Sequence, residues 1–237
     1  MPQSTFAEYR GLFIVFEGID CCGKDTQAKY LKDYLQKLGR KAVISPEPTN
    51  STVGLFIREQ LRNPTIDRSS SFVFDSTMAY LFAADRHHHL YNTHNGILTL
   101  LAQKTSAIVP RYLFSSLAYN HTGDSEEGYK LVKRLNQSFP MPDLVIYLDI
   151  PVLCALKRLK MRSSNADIYE QQQRLLLARQ NYDKIFDRYP VHWVRIDGCQ
   201  KPEVISNIIN QHIWNLLKTR ARGVLGFPQH TRPRQSL

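Results

Sequence analysis

Apolar residues recur along this chain in two alternating rhythms. Short unbroken runs come first and recur: Leu12–Phe16, Ala42–Ile44 within Lys41–Ser45, Ala107–Val109 and Leu144–Leu148, with Trp193, Val194 and Ile196 marking a fifth. Runs this short and this rich in β-branched residues are expected of strands buried on both faces of a parallel sheet. Between them lie stretches of helical period. Ala28, Leu31, Leu35 and Leu38 share one face, and Gly39 supplies a stop. Further helices are expected over Thr52–Leu61, Ser69–Leu90, Ile97–Gln103, Ser115–Tyr119, Glu126–Phe139, Val152–Met161, Ile168–Tyr189 and Pro202–Leu217. PEPT at Pro46–Thr49, Asn63-Pro64 and Pro140–Asp143 break the pattern. Strands alternating with helices predict an α/β fold, a doubly wound five-stranded parallel sheet with helices on both faces.

No internal repeat or linker divides the pattern, so residues 11–219 read as one domain. Residues 1–10 form a polar lead-in. Residues 220–237, rich in Gly, Pro and Arg, lack an apolar face to bury and are expected to be disordered. No apolar run approaches membrane-spanning length, and MPQSTFAEYRG lacks the apolar core of a signal peptide. The expectation is a cytoplasmic protein without a membrane partner. The four cysteines, with Cys21 and Cys22 adjacent and Cys154 and Cys199 far away, form no zinc or disulfide framework. The net charge is +10, and five Lys/Arg from Lys218 onward put half of that excess in the tail. The remainder suits polyanionic substrates; nucleic acid is a partner only through the tail.

The chemistry is concentrated behind the first strand. Gly18 and Gly23 bracket four residues, Lys24 follows, and a helix begins. Strand, glycine loop, lysine and helix are the context of a P-loop, in which backbone N–H groups cradle phosphates and the lysine reaches the terminal ones. Gly18, Cys21, Cys22, Gly23, Lys24, Asp25 and Thr26 are therefore the expected nucleotide-phosphate-binding residues. Where a P-loop carries Ser or Thr for Mg²⁺, this chain has Asp25. His87, His88 and His89 are consecutive, and helix neighbours point about 100° apart, so a solvated face is expected rather than a metal site.

FEGIDCCGKDTQ at Phe16–Gln27, LFAADR at Leu81–Arg86, RYLFSSLAY at Arg111–Tyr119 and PDLVIYLDIP at Pro142–Pro151 occur in the order of the thymidylate kinase family. The chain resembles that family from about Leu12 to Leu217. The resemblance implies a P-loop NTPase fold, ATP as phosphoryl donor, Mg²⁺ as cofactor and a nucleoside monophosphate, dTMP, as acceptor. It further implies that Phe82 stacks on the base and Arg86 hydrogen-bonds it. Arg111 would grip the acceptor phosphate, with Arg58 adding charge there. Asp20 would approach the sugar hydroxyl, and Ser116 and Tyr119 would line base and sugar. Arg162 would reach the transferring phosphoryl from a lid over Met161–Tyr169. Lys24, Arg111 and Arg162 would carry catalysis, and a homodimer is left open.

Four positions depart from the family pattern. Asp25 stands for the hydroxyl, and Pro110 for the aspartate before Arg111. Pro46 stands for a phosphate-binding arginine of bacterial members, and Ile168 for a lid arginine. Asp25 could itself ligate Mg²⁺, since carboxylate oxygens suit that ion. Glu17 and Glu47 are the fallback carboxylates. Two functions fit: a working dTMP kinase, or a catalytically impaired relative that binds nucleotide in a regulatory or interaction role. Nucleic-acid binding through the tail is a third.

Overall fold

The computed structural model describes residues 10–66, 70–120, 126–161 and 168–221. Its strands are β1 (Phe13–Glu17), β2 (Ala42–Ile44), β3 (Ser106–Pro110), β4 (Leu144–Asp149) and β5 (Trp193–Asp197). The helices are α1 (Lys24–Lys37), α2 (Thr52–Arg62), α3 (Ser71–Tyr91), α4 (Ile97–Ala102), α5 (Leu113–Tyr119), α6 (Glu126–Asn136), α7 (Val152–Lys160), α8 (Ile168–Arg188) and α9 (Pro202–Ala221). The strands lie in the order β2-β3-β1-β4-β5, and every pairing is parallel. This is the expected α/β architecture. From β1 the chain steps out to β2, returns through β3, then crosses to β4 on the other side. Right-handed crossovers in opposite directions place helices on opposite faces. β1, β3 and the first five residues of β4 are buried throughout, as their unbroken apolar runs require.

Pro110 ends β3, a central strand, where a missing N–H would ordinarily leave a gap in the ladder. The N–H groups of Ala107 and Arg111 point toward β1, donating to Leu12 and Phe16, while that of Ser106 points toward Lys41 on the β2 side. By this alternation the absent donor of Pro110 falls on the β2 side, beyond Ile44, where β2 has already ended. Pro110 keeps its carbonyl in the pairing, accepting from Glu47 N–H at 3.2 Å, so its missing N–H costs at most one bond at the very end of the sheet.

Both ends of the described chain meet at one carboxylate. Asp143, ahead of β4, accepts from Phe13 N–H at 2.7 Å, from Arg10 at 2.5 Å, and pairs with Arg220. Arg10 and Arg220 fall in segments expected to be loose, and α9 runs to Ala221 rather than ending at Leu217. The rest of the basic tail lies outside the described residues. Among the described residues, no helix is long and apolar enough to cross a membrane.

Candidate functional site: a phosphate nest facing a buried arginine network

Because every strand is parallel, the loops leaving β1, β2 and β3 open at one edge of the sheet. The β1 loop turns through three residues of positive φ: Gly18 at 139°, Cys21 at 61° and Gly23 at 103°. At Gly18 a Cβ would come within 2.5 Å of Leu148 O and 2.7 Å of Cys22 Sγ, so both its conformation and its packing require glycine. Lys24 folds back over the loop. Its Nζ donates to Gly18 O at 2.8 Å and Ile19 O at 2.9 Å, and lies 3.4 Å from Cys22 Sγ. Arg158 of α7 braces the outer side, donating to Cys21 O at 3.1 Å and Gly198 O at 2.8 Å. Gln27 donates to Pro202 O at 2.9 Å, tying α1 to the start of α9. Cys22 is buried, and Asp25 and Thr26 are exposed on the first turn of α1, where a carboxylate also suits the helix dipole.

The β3 loop begins with Arg111 in left-handed conformation, φ 68°. Its guanidinium pairs with Asp20 and donates to Ser115 Oγ at 3.1 Å. Partial desolvation works against the charged form of Asp20, but Arg111, Lys24 and Arg174 outweigh it and hold the carboxyl below its usual range. Asp20 thus feels the cation of the nest and the cation of the β3 loop together.

Beneath them Glu17, the last residue of β1, is wholly buried. It accepts from Tyr112 N–H at 2.9 Å, Ser115 N–H at 3.1 Å, Ser115 Oγ at 2.6 Å and Tyr182 Oη at 2.7 Å. Burial pushes its carboxyl up, while the bonds from Ser115 and Tyr182, the charge of Arg111 and the Tyr112 N–H oppose that rise. Glu17 therefore fixes the β3 loop and α8 to the sheet.

The β2 loop is fastened to α3. Asp85 accepts from Thr49 N–H at 2.7 Å, Thr49 Oγ1 at 2.5 Å and Ser51 Oγ at 2.7 Å. Ser51 in turn caps α2, accepting from Gly54 N–H at 3.0 Å. Glu47 receives Arg86 Nε at 2.9 Å and faces its Nη2 at 2.7 Å. Glu47 Oε1 meets His89 Nδ1 at 3.1 Å, and His89 Nε2 meets Ser45 Oγ at 2.6 Å. Arg86 also bonds Asn136 and, at 3.2 Å, Ser116 Oγ, and lies 5.2 Å from the Tyr112 ring centroid.

These placements revise several expectations. Arg86 is 1% exposed and is the centre of a buried network. Glu17 and Glu47 both have their carboxylate oxygens hydrogen-bonded within the protein. His87 and His88 are exposed, but His89 turns inward and is buried. Phe82 and Tyr119 are half-buried, and Ser116 is buried beside Arg86. Arg58 donates to Pro48 O, and its buried Nε has no partner among the described residues. Cys154 and Cys199, distant in sequence, bring their sulfurs to 3.3 Å, and both are free thiols. Arg162 and most of the expected lid lie outside the described residues. Ser115, Asn136 and Tyr182 are site builders that the sequence did not single out, and Glu17 and Glu47, expected only as fallback metal carboxylates, hold the site together through hydrogen bonds. For Glu17 a signal existed: a carboxylate closing an apolar strand must find buried donors.

Mg²⁺ commonly takes one or two carboxylates and completes its shell with water and substrate phosphate. The exposed carboxylate of Asp25, beside Lys24, fits that modest demand. Among the described residues no group of three or more His, Cys, Asp or Glu gathers as a metal cage.

Comparison with known proteins agrees with this geometry. The thymidylate kinase family model matches residues 16–209. A putative thymidylate kinase of Treponema pallidum is 34% identical over 206 residues, covering 85% of this chain and 94% of that protein. A probable thymidylate kinase of Pyrococcus horikoshii is 36% identical over 181 residues, covering 76% and 85%. A thymidylate kinase of Leptospira borgpetersenii is 34% identical over 194 residues, covering 82% and 89%.

Proposed function

The chain belongs to the thymidylate kinase family, and on that premise we propose that it transfers the terminal phosphoryl of ATP to dTMP, giving dTDP. One observation carries the reading. Asp20 pairs with Arg111 and lies in the field of Lys24, so the nest and the acceptor-side arginine converge on one point. Phosphoryl transfer asks for in-line placement and charge neutralisation more than for covalent chemistry.

In this reading backbone N–H groups of the loop through Gly18, Cys21, Cys22 and Gly23 hold the ATP phosphates, and Lys24 exchanges its carbonyl partners for phosphate oxygens. Asp25 is the proposed carboxylate for Mg²⁺, and Thr26 lies beside it. The metal would supply further charge neutralisation. Arg111 takes the acceptor phosphate, and Arg58, with its unpartnered Nε, adds charge nearby. Phe82 and Tyr119 give the nucleoside aromatic faces. Ser116 and Arg86 supply polar character behind them. Asp20, released from Arg111 when phosphate binds, is then free to accept from the sugar hydroxyl. No general base is required, because the acceptor is already an anionic phosphate oxygen.

The test is a panel of nucleoside monophosphates with ATP and Mg²⁺, read as ADP formed. dTMP should outperform dGMP and dAMP, and Asp25→Ser should lower turnover and raise the Mg²⁺ requirement. Equal use of the purine monophosphates would sink the acceptor assignment. No turnover of any of them would favour the impaired relative.

A further inference from the structure

Arg174 belongs to no motif described above. It is exposed on α8 and forms no hydrogen bond or ion pair among the described residues. Its position is nonetheless well fixed. Two turns further along the same helix, Asn181 Nδ2 donates to Ala118 O at 3.1 Å and Tyr182 Oη donates to Glu17 at 2.7 Å. Tyr182 Oη also lies 2.9 Å from Ser115 Oγ. Residues seven or eight apart share a helix face, so these anchors aim Arg174 toward α5. There its guanidinium carbon lies 5.5 Å from the Tyr119 ring centroid, while that of Arg111 lies 5.2 Å from the same centroid.

Two arginines from different elements thus lie against one aromatic ring. Both act on Asp20, as Lys24 does. Among the described residues, Asp75 on α3 also lies in the field of Arg174. Glu17 lies beneath Arg111 with its oxygens already bonded. On the solvent side a half-exposed carboxylate is therefore surrounded by three cations. That is the arrangement of a place kept for a larger anion, and Arg174 is the cation of the three that has no hydrogen bond or ion pair among the described residues. Its planar fork suits phosphate oxygens.

We propose that Arg174 is a second ligand of the acceptor's 5′-phosphate, closing on it from α8 opposite Arg111. The inference rests on the acceptor being a nucleoside monophosphate.

The experiment compares dTMP with thymidine, which differ by that phosphate, in equilibrium titrations of the full chain carrying Arg174→Ala or Arg174→Lys. One lost charged hydrogen bond should weaken dTMP binding by about tenfold or more. Thymidine binding should stay within about twofold of wild type, and Arg174→Lys should recover part of the loss. Unchanged dTMP affinity in Arg174→Ala would overturn the inference. So would an equal loss for thymidine, which would make Arg174 a support for the nucleoside or the fold. A wild type that binds dTMP without phosphorylating it overturns the kinase reading alone. One that does not bind dTMP overturns both.

Discussion

Lys24 and Arg86 are both buried cations a few residues from the pocket, yet they are held by different means. The Lys24 ammonium rests on carbonyls of its own loop, Gly18 and Ile19, with no carboxylate among its bonded partners. Arg86 is paired with Glu47, and its remaining bonds reach α6 and α5. The first arrangement is exchangeable: phosphate can replace the carbonyls without stranding a buried charge. The second is committed, because removing either partner leaves the other desolvated and unpaired. Proximity to the ligand site therefore does not set a basic residue's work; the identity of its resting partner does.

Three experiments can break or sharpen that contrast. The largest effect should come from Glu47→Ala, which strands Arg86 and should cost about 3–5 kcal/mol of folding stability. Urea unfolding reads it. A loss near zero would mean that the arginine network is not committed to the fold. Next, Lys24→Ala should leave the melting temperature close to wild type but lower turnover about a hundred- to thousandfold, as when a preorganised charge donor is removed. A large loss of stability instead would make Lys24 as structural as Arg86. The smallest effect belongs to Asp75, whose carboxyl feels the charge of Arg174. Burial raises its carboxyl to about 6, with Arg174 pulling the other way. Its folded-state pKa thus lies above the unfolded value, so the folded chain binds the extra proton between about pH 4 and 6. Stability from this group is full below that window and lost as pH rises through it. Melting temperatures of wild type minus Asp75→Asn should therefore fall from pH 4 to 6 and level off above. A flat difference would remove Asp75 from the pocket's electrostatics.

The same contrast explains what could be read from the residues alone. The nest is legible because Gly18–Lys24 is contiguous and its geometry is a property of the local backbone. The five strands are legible because burial on both faces writes an unbroken apolar run. The arginine network is not, since Glu47 lies 39 residues from Arg86 in sequence and Asn136 lies 50. Glu17 and Tyr182 are separated by 165. Only the folded sheet brings such groups together, and composition gives each several plausible partners. Arg86 was legible as important, but a buried pair and a ligand donor leave the same mark on a sequence. His89 shows the converse: a run of three histidines hides that one faces inward.

Arg111 sets a constraint of a different kind, on how this chain can drift. Its backbone holds a left-handed conformation that costs an ordinary residue about 1–2 kcal/mol and glycine almost nothing. Selection for thermal robustness alone would move position 111 toward glycine or asparagine. Selection for the guanidinium holds it back. The position is thus a built-in gauge of the pressure on the lineage. Once the side chain is no longer needed, replacement is not merely tolerated but rewarded, and the change should appear there before the surrounding core shows any decay.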